Sequence, residues 1–226
     1  MIKRLTLTLA VLAAPAAASN VFTPPEGCTP QLTIQTRSCK VENIYTCASD
    51  APGDKWRAVS DQSGPIFVSR IDDETQWMES YELFPTVRTQ IRLPAEDPAS
   101  LTELLETGID TYDFVQESGG RIVRVVGYDR LTGDDVLIDD EPLLGTEFSV
   151  RYEDFNGVYL TVTGTEYVSV RHRRFIGGLS TRTWGEVSED RDHSPVEFIY
   201  PGEDGFFATK PKYDCEETLA SFRPRS

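Results

Sequence analysis

The chain has 226 residues, with 22 Lys and Arg against 37 Asp and Glu, and a formal net charge of −15. So acidic a composition disfavours non-specific nucleic-acid binding and broad adhesion to anionic membranes, since both need cations to neutralise phosphate. The length suits one domain, and 11 Phe, 9 Tyr and 3 Trp can fill a core, which argues against disorder throughout.

Residues 1–18 have the layout of a secretory signal peptide. Lys3 and Arg4 precede an apolar run from Leu5 to Ala14, and Pro15-Ala16-Ala17-Ala18 offers a small-residue cleavage site before Ser19. The run is short for a membrane anchor. Removing Lys3 and Arg4 takes the formal charge to about −17. Cys28 follows Pro25-Glu26-Gly27, which is no lipidation signal, and no later stretch is apolar enough to span a membrane. The expectation is a single β-rich domain over 19–226, in the periplasm or outside the cell.

Export gives the four cysteines a meaning: Cys28, Cys39, Cys47 and Cys215 predict two disulfides in an oxidising compartment. Residues 28–36 and 39–47 read as strands joined by Arg37-Ser38. A two-residue loop there sets Cys28 opposite Cys47 and Ile34 opposite Val41, and opposed residues have the spacing a disulfide needs. Cys39 and Cys215 then form the second pair. The spacings contain no CxxC, and there are only two His, so zinc is disfavoured.

Period-2 alternation continues along the chain. Strand-like runs fall near 55–60, 64–71, 75–83, 85–93, 109–116, 121–129, 134–138, 147–152, 158–163, 166–176, 180–187, 194–200 and 205–210. Asn156-Gly157 is the strongest hairpin signal among the turns between them. One amphipathic helix is predicted over about 97–107, with Asp97 as cap, Pro98 first, Leu101, Leu104 and Leu105 as its stripe and Gly108 as its stop. A second, short helix is predicted at 216–222. These elements predict a mainly β fold, an antiparallel meander forming a curved sheet, half-barrel or barrel around the helix. A β-sandwich is the alternative. By analogy alone, such a fold points to lipocalins and to periplasmic lipoprotein carriers.

Catalytic motifs are missing. The sequence has no G-x-S-x-G, no P-loop and no H-E-x-x-H, and it predicts no metal and no cofactor. The acidic residues Asp134, Asp135, Asp139, Asp140 and Glu141 lack the spacing of an EF-hand loop and read as a solvated turn. A continuous strand over 167–176 would put Val168, Val170, His172 and Arg174 on one face. If the valines face inward, His172 and Arg174 become polar anchors at the rim of a cavity, with Arg174 suited to a carboxylate or phosphate head group. Trp56, Trp77 and Trp184 read as core or cavity lining.

The leading expectation is a non-enzymatic binding or carrier protein of the cell envelope with an apolar cavity for an apolar or amphiphilic small molecule. The alternatives are an assembly factor that contacts an envelope protein partner, its basic run 171–174 meeting acidic patches, and a carboxylate-dependent hydrolase.

Overall fold

The computed structural model describes residues 21–215. The expected signal peptide and the short helix at 216–222 lie outside the described residues. Among the described residues, fifteen strands and one helix follow in order. The first six strands are β1 (Cys28–Thr36), β2 (Lys40–Cys47), β3 (Lys55–Asp61), β4 (Gly64–Ile71), β5 (Trp77–Leu83) and β6 (Thr86–Asp97). The helix α1 (Leu101–Thr107) leads to β7 (Ile109–Ser118), β8 (Arg121–Leu131), β9 (Val136–Ile138), β10 (Glu141–Asp154) and β11 (Gly157–Ser169). The last four strands are β12 (Arg174–Ile176), β13 (Leu179–Trp184), β14 (Val187–Asp192) and β15 (Pro195–Ile199).

All of them join one antiparallel sheet, in the order β14-β13-β11-β10-β8-β7-β6-β5-β4-β3-β2-β1-β15, with β12 beside β11 and β9 beside β10. The outermost strands, β14 and β15, are consecutive in the chain and joined by His193-Ser194 alone. So short a link forces the sheet to curl until its two edges come close. The edges share no ladder, so the result is a curved sheet rather than a closed barrel.

Alternation builds the concave face. Asp110, Tyr112 and Phe114 on β7 face inward, as do Val123, Val125 and Asp129 on β8. Tyr112, Phe114, Val123 and Val125 pack with Ile91 and Val150. Near the meeting edges, Leu32, Ile34 and Ile44 pack against Leu143, Ile176 and Phe198. Leu101 and Leu104 of α1 are fully buried against Val168, so the helix covers one end of the concavity.

The helix starts later than its sequence suggests. Ser100 is the cap, its hydroxyl accepting from the Glu103 N–H, while Gly108 ends the helix at φ 86° as expected. Asp97 instead stays in β6, opposite Asp113, and accepts from the Thr111 hydroxyl. Glu74 completes the helix start from the β4–β5 loop: its carboxylate accepts from the Thr102 N–H and from the Ser100 and Thr102 hydroxyls. Arg173 then donates to Glu74 and ties in the β11–β12 turn.

On β1 and β2 alternation fails because both faces are covered. The segment after β15 crosses the outer face, where Phe207 packs with Tyr45 and Ala58. Buried Thr33 donates to Asn43, and Asn43 donates to the Ala208 carbonyl. The stretch near 205–210 is therefore a run of turns rather than a strand.

Disulfides join Cys28 to Cys47 and Cys39 to Cys215. The β1–β2 register agrees with a two-residue loop only near the first pair, where Cys28 faces Cys47 and Pro30 faces Tyr45. It then shifts at Gln31, so that Gln35, not Ile34, faces Val41. Arg-Ser is poorly suited to a two-residue hairpin turn. The turn takes in Cys39 as a third residue, with Ser38 and Cys39 at φ 57° and 54°, and a bulge absorbs the extra residue.

Candidate functional site

The concave face encloses a cavity of about 590 Å³, lined from β3 to β7 on one side and from β10 to β13 on the other. A second pocket of about 240 Å³ continues it beneath β7 and β8. Trp77, Tyr152, Glu166, Phe175 and Arg182 line both, so the two spaces are contiguous. The lining is mixed rather than apolar: Arg57, Arg174, Arg182 and Lys55 share the walls with Phe67, Trp77 and Tyr159.

Arg174 reaches this cavity by a route the alternation does not show. The expected strand over 167–176 is a tight hairpin: β11 ends at Ser169, β12 begins at Arg174, and Ser169 pairs with Arg174 across a four-residue turn. Arg173 turns the chain at φ 43°. Val168 and Arg174 therefore point inward while Val170 is half exposed. Arg174 is only 4% exposed. Its Nε and Nη1, like the Nε atoms of Arg57 and Arg182, find no hydrogen-bond partner among the described residues. Burial, with the positive charge of Arg57 nearby, pushes the Arg174 guanidinium down to about 10, and Glu42 offsets this only in part. Arg57 itself reaches Glu42 at 3.4 Å.

The hairpin sends His172 elsewhere. It lies outside the cavity lining, its ring 5.9 Å from that of Tyr200 and its Nε2 3.3 Å from the Tyr200 hydroxyl. Both neighbour buried Glu141, which accepts from Tyr200 and from the Ser169 hydroxyl. Burial holds the His172 imidazole below its ordinary value. His172 and Arg174 are thus not two anchors on one rim: one fastens the β11–β12 turn to the end of β15, and the other faces the interior.

Comparison of the chain with protein-family models, curated proteins and solved structures finds no match.

Two acids complete the cavity, Asp129 and Glu166, and a third, Asp110, is buried beside Asp129. Asp110 and Asp129 are paired across β7 and β8. Glu166, on β11, is in hydrogen-bonding contact with Asp129. Burial above all raises Asp129 to about 7, Glu166 well above the usual carboxylate range and Asp110 to about 6. Asp129 and Glu166 line the inner pocket with Tyr112, Phe114, Phe148 and Tyr152. The sequence carries a signal for both. Asp129 continues the inward series Val123, Val125, and Glu166 continues Leu160, Val162. A carboxylate in phase with buried valines faces the interior.

Proposed function

We propose that the chain is an exported binding or carrier protein that takes a small molecule bearing an anionic group into the cavity on its concave face. The observation that carries this reading is Arg174, a buried guanidinium with unpartnered donors facing an interior space. An unpaired buried charge costs several kcal/mol, on the order of 3–5 when a partner is removed, and a carboxylate or phosphate group would repay it through a bidentate contact. Aromatic side chains beside it suit the rest of an amphiphile. Two disulfides favour an oxidising compartment, which fits the periplasm or the cell exterior.

The test is to purify the protein without denaturation, unfold it and identify what it releases by mass spectrometry, with thermal shifts in inorganic phosphate and hexanoate alongside. A released acid, or a rise in melting temperature that Arg174→Met abolishes, is expected. A protein that releases nothing and responds to neither anion would overturn the reading.

The hydrolase alternative gains little from the acid pair. Glycosidase carboxylates stand roughly 5–9.5 Å apart to admit substrate or water, whereas Asp129 and Glu166 touch. The assembly-factor alternative has one observation in its favour: Phe84 and Phe155 are 84% and 95% exposed, each at a hairpin tip. A photo-crosslinker at Phe155 that yields one defined envelope partner, lost on changing Phe84 and Phe155 to Ser, would support it.

A further inference from the structure

We propose that the ligand is a zwitterion, its anionic group held by Arg174 and Arg57 and its organic ammonium group held between the Trp77, Tyr112 and Tyr152 rings and the Asp129–Glu166 pair. This inference rests on the binding-protein reading and names the ligand class of the same cavity.

Some charges around the cavity fail to neutralise one another. Several ions of the cavity wall are paired: Arg70 meets Asp54 and Glu79, and Lys55 meets Asp73. Arg57 meets Glu42, but Arg174 and the interior acids are different. Arg174 makes no ion pair among the described residues, and neither Asp129 nor Glu166 bonds to an arginine. Arg57 acts on Glu166 only through its field. Among the described residues, an unpaired guanidinium and an acid pair that has no cationic partner therefore face one continuous space. Each is costly to bury alone, and a molecule with both signs compensates both.

The aromatic side chains decide what kind of cation fits. Trp77 is 39% exposed, and that surface faces the cavity. Its ring centroid lies 6.1 Å from Tyr112, 5.7 Å from Phe114 and 6.5 Å from Tyr152. Aromatic faces with nearby carboxylates are the chemistry that recognises substituted ammonium groups. Gly127 helps to build this wall. It pairs with Tyr112, and a Cβ there would come within 2.6 Å of the Tyr112 ring. An apolar tail could use the same rings, but it would leave Asp129 and Glu166 without a counter-charge. Arg182, which lines both spaces, marks the boundary between the anionic and cationic ends.

Isothermal titration of the purified protein with phosphocholine, inorganic phosphate and choline tests this. Phosphocholine should bind at least about tenfold more tightly than either part, as expected for a desolvated cation–π contact. Trp77→Ala should reduce phosphocholine to the affinity of phosphate and leave phosphate unchanged, while Trp77→Phe should retain most of the gain. Arg174→Met should abolish phosphate binding, and the circular dichroism of each variant should confirm folding. Equal affinities for phosphate and phosphocholine would overturn the zwitterion and leave the anion-binding reading standing. Binding of choline without phosphate would overturn the anionic end. No binding of any of the three would remove both. Flotation with phosphatidylcholine vesicles separates the two sources of this chemistry. Co-flotation competed by phosphocholine assigns a lipid head group, and absence of co-flotation beside tight phosphocholine binding assigns the free molecule. Co-flotation that phosphocholine does not compete would count against the cavity.

Discussion

Glu166 on β11 and Asp129 on β8 are in hydrogen-bonding contact across the width of β10, inside a protein whose formal charge is −15, and burial raises both. An acid whose folded-state pKa is raised binds its proton more tightly folded than unfolded. Stability from such groups is complete below the ordinary carboxylate range and is lost as pH rises through the folded value. Asp110 is raised to about 6 and Asp129 to about 7, so the stability these acids contribute should fall between about pH 4 and pH 7, by up to ~1.4 kcal/mol per pH unit for each proton released, and the melting temperature with it. Thermal melts across that range check it. Asp129→Asn should flatten the slope, and a melting temperature that rises over the same window would contradict the buried pair.

Much of this was legible in the sequence. Alternation gave the antiparallel sheet, and Gly108 marked the end of the helix. What it could not show is where the chain breaks its own period. The run 166–176 alternates well enough to read as one strand, and only packing reveals a hairpin at Val170–Arg173. That turn is held by long-range contacts: Arg173 to Glu74, and Glu141 to Ser169 and Tyr200. Arg174 therefore faces inward because of the hairpin rather than strand alternation, and His172 does not lie beside it. The β1–β2 register illustrates the same limit, since Cys28 faces Cys47 only because the bulge at Gln31 cancels the third turn residue.

The two disulfides should differ in weight. Cys39–Cys215 spans a sequence separation of 176 and Cys28–Cys47 one of 19. In the chain-entropy model these correspond to about 5 and about 3 kcal/mol. Urea denaturation of the two double-alanine variants should show the larger loss for Cys39/Cys215. Equal losses would mean that the unfolded chain stays compact near its ends.

Glu74 joins the helix start to the β11–β12 turn. Ser100, Thr102 and Arg173 all donate to it, and these bonds hold its carboxyl below the usual range. Glu74→Ala should cost more than Ser100→Ala, for which loss of a cap is typically ~1 kcal/mol. Because the Glu74 side chain also anchors Arg173, hydrogen exchange should accelerate in both α1 and residues 170–173. Faster exchange in α1 alone would separate the two elements.

Gly127 gives the aromatic wall its position. Alanine there would place a Cβ 2.5 Å from the Ser149 carbonyl oxygen and 2.6 Å from the Tyr112 ring. Neither neighbour can yield cheaply, one being sheet backbone and the other a buried ring. Gly127→Ala should therefore destabilise the fold by about 1–3 kcal/mol and displace Tyr112 from the inner pocket. Near-ultraviolet circular dichroism would register the ring movement, and an unchanged spectrum with full stability would show that the wall is softer than its contacts imply.

Arg174 offers the sharpest separation of binding from stability. A residue kept for packing loses stability when replaced, but Arg174 is a charge buried without hydrogen-bond partners at two of its nitrogens. Arg174→Met keeps most of its volume and removes the desolvated charge, so the ligand-free protein should gain about 1–3 kcal/mol. The same change should abolish phosphate binding. Arg174→Lys keeps the charge but not the planar fork, so it should bind phosphate more weakly than the native chain without the stability gain. If Arg174→Met instead lowers the melting temperature in the absence of ligand, Arg174 is satisfied by the fold itself, and its presence in the cavity no longer argues for an anion.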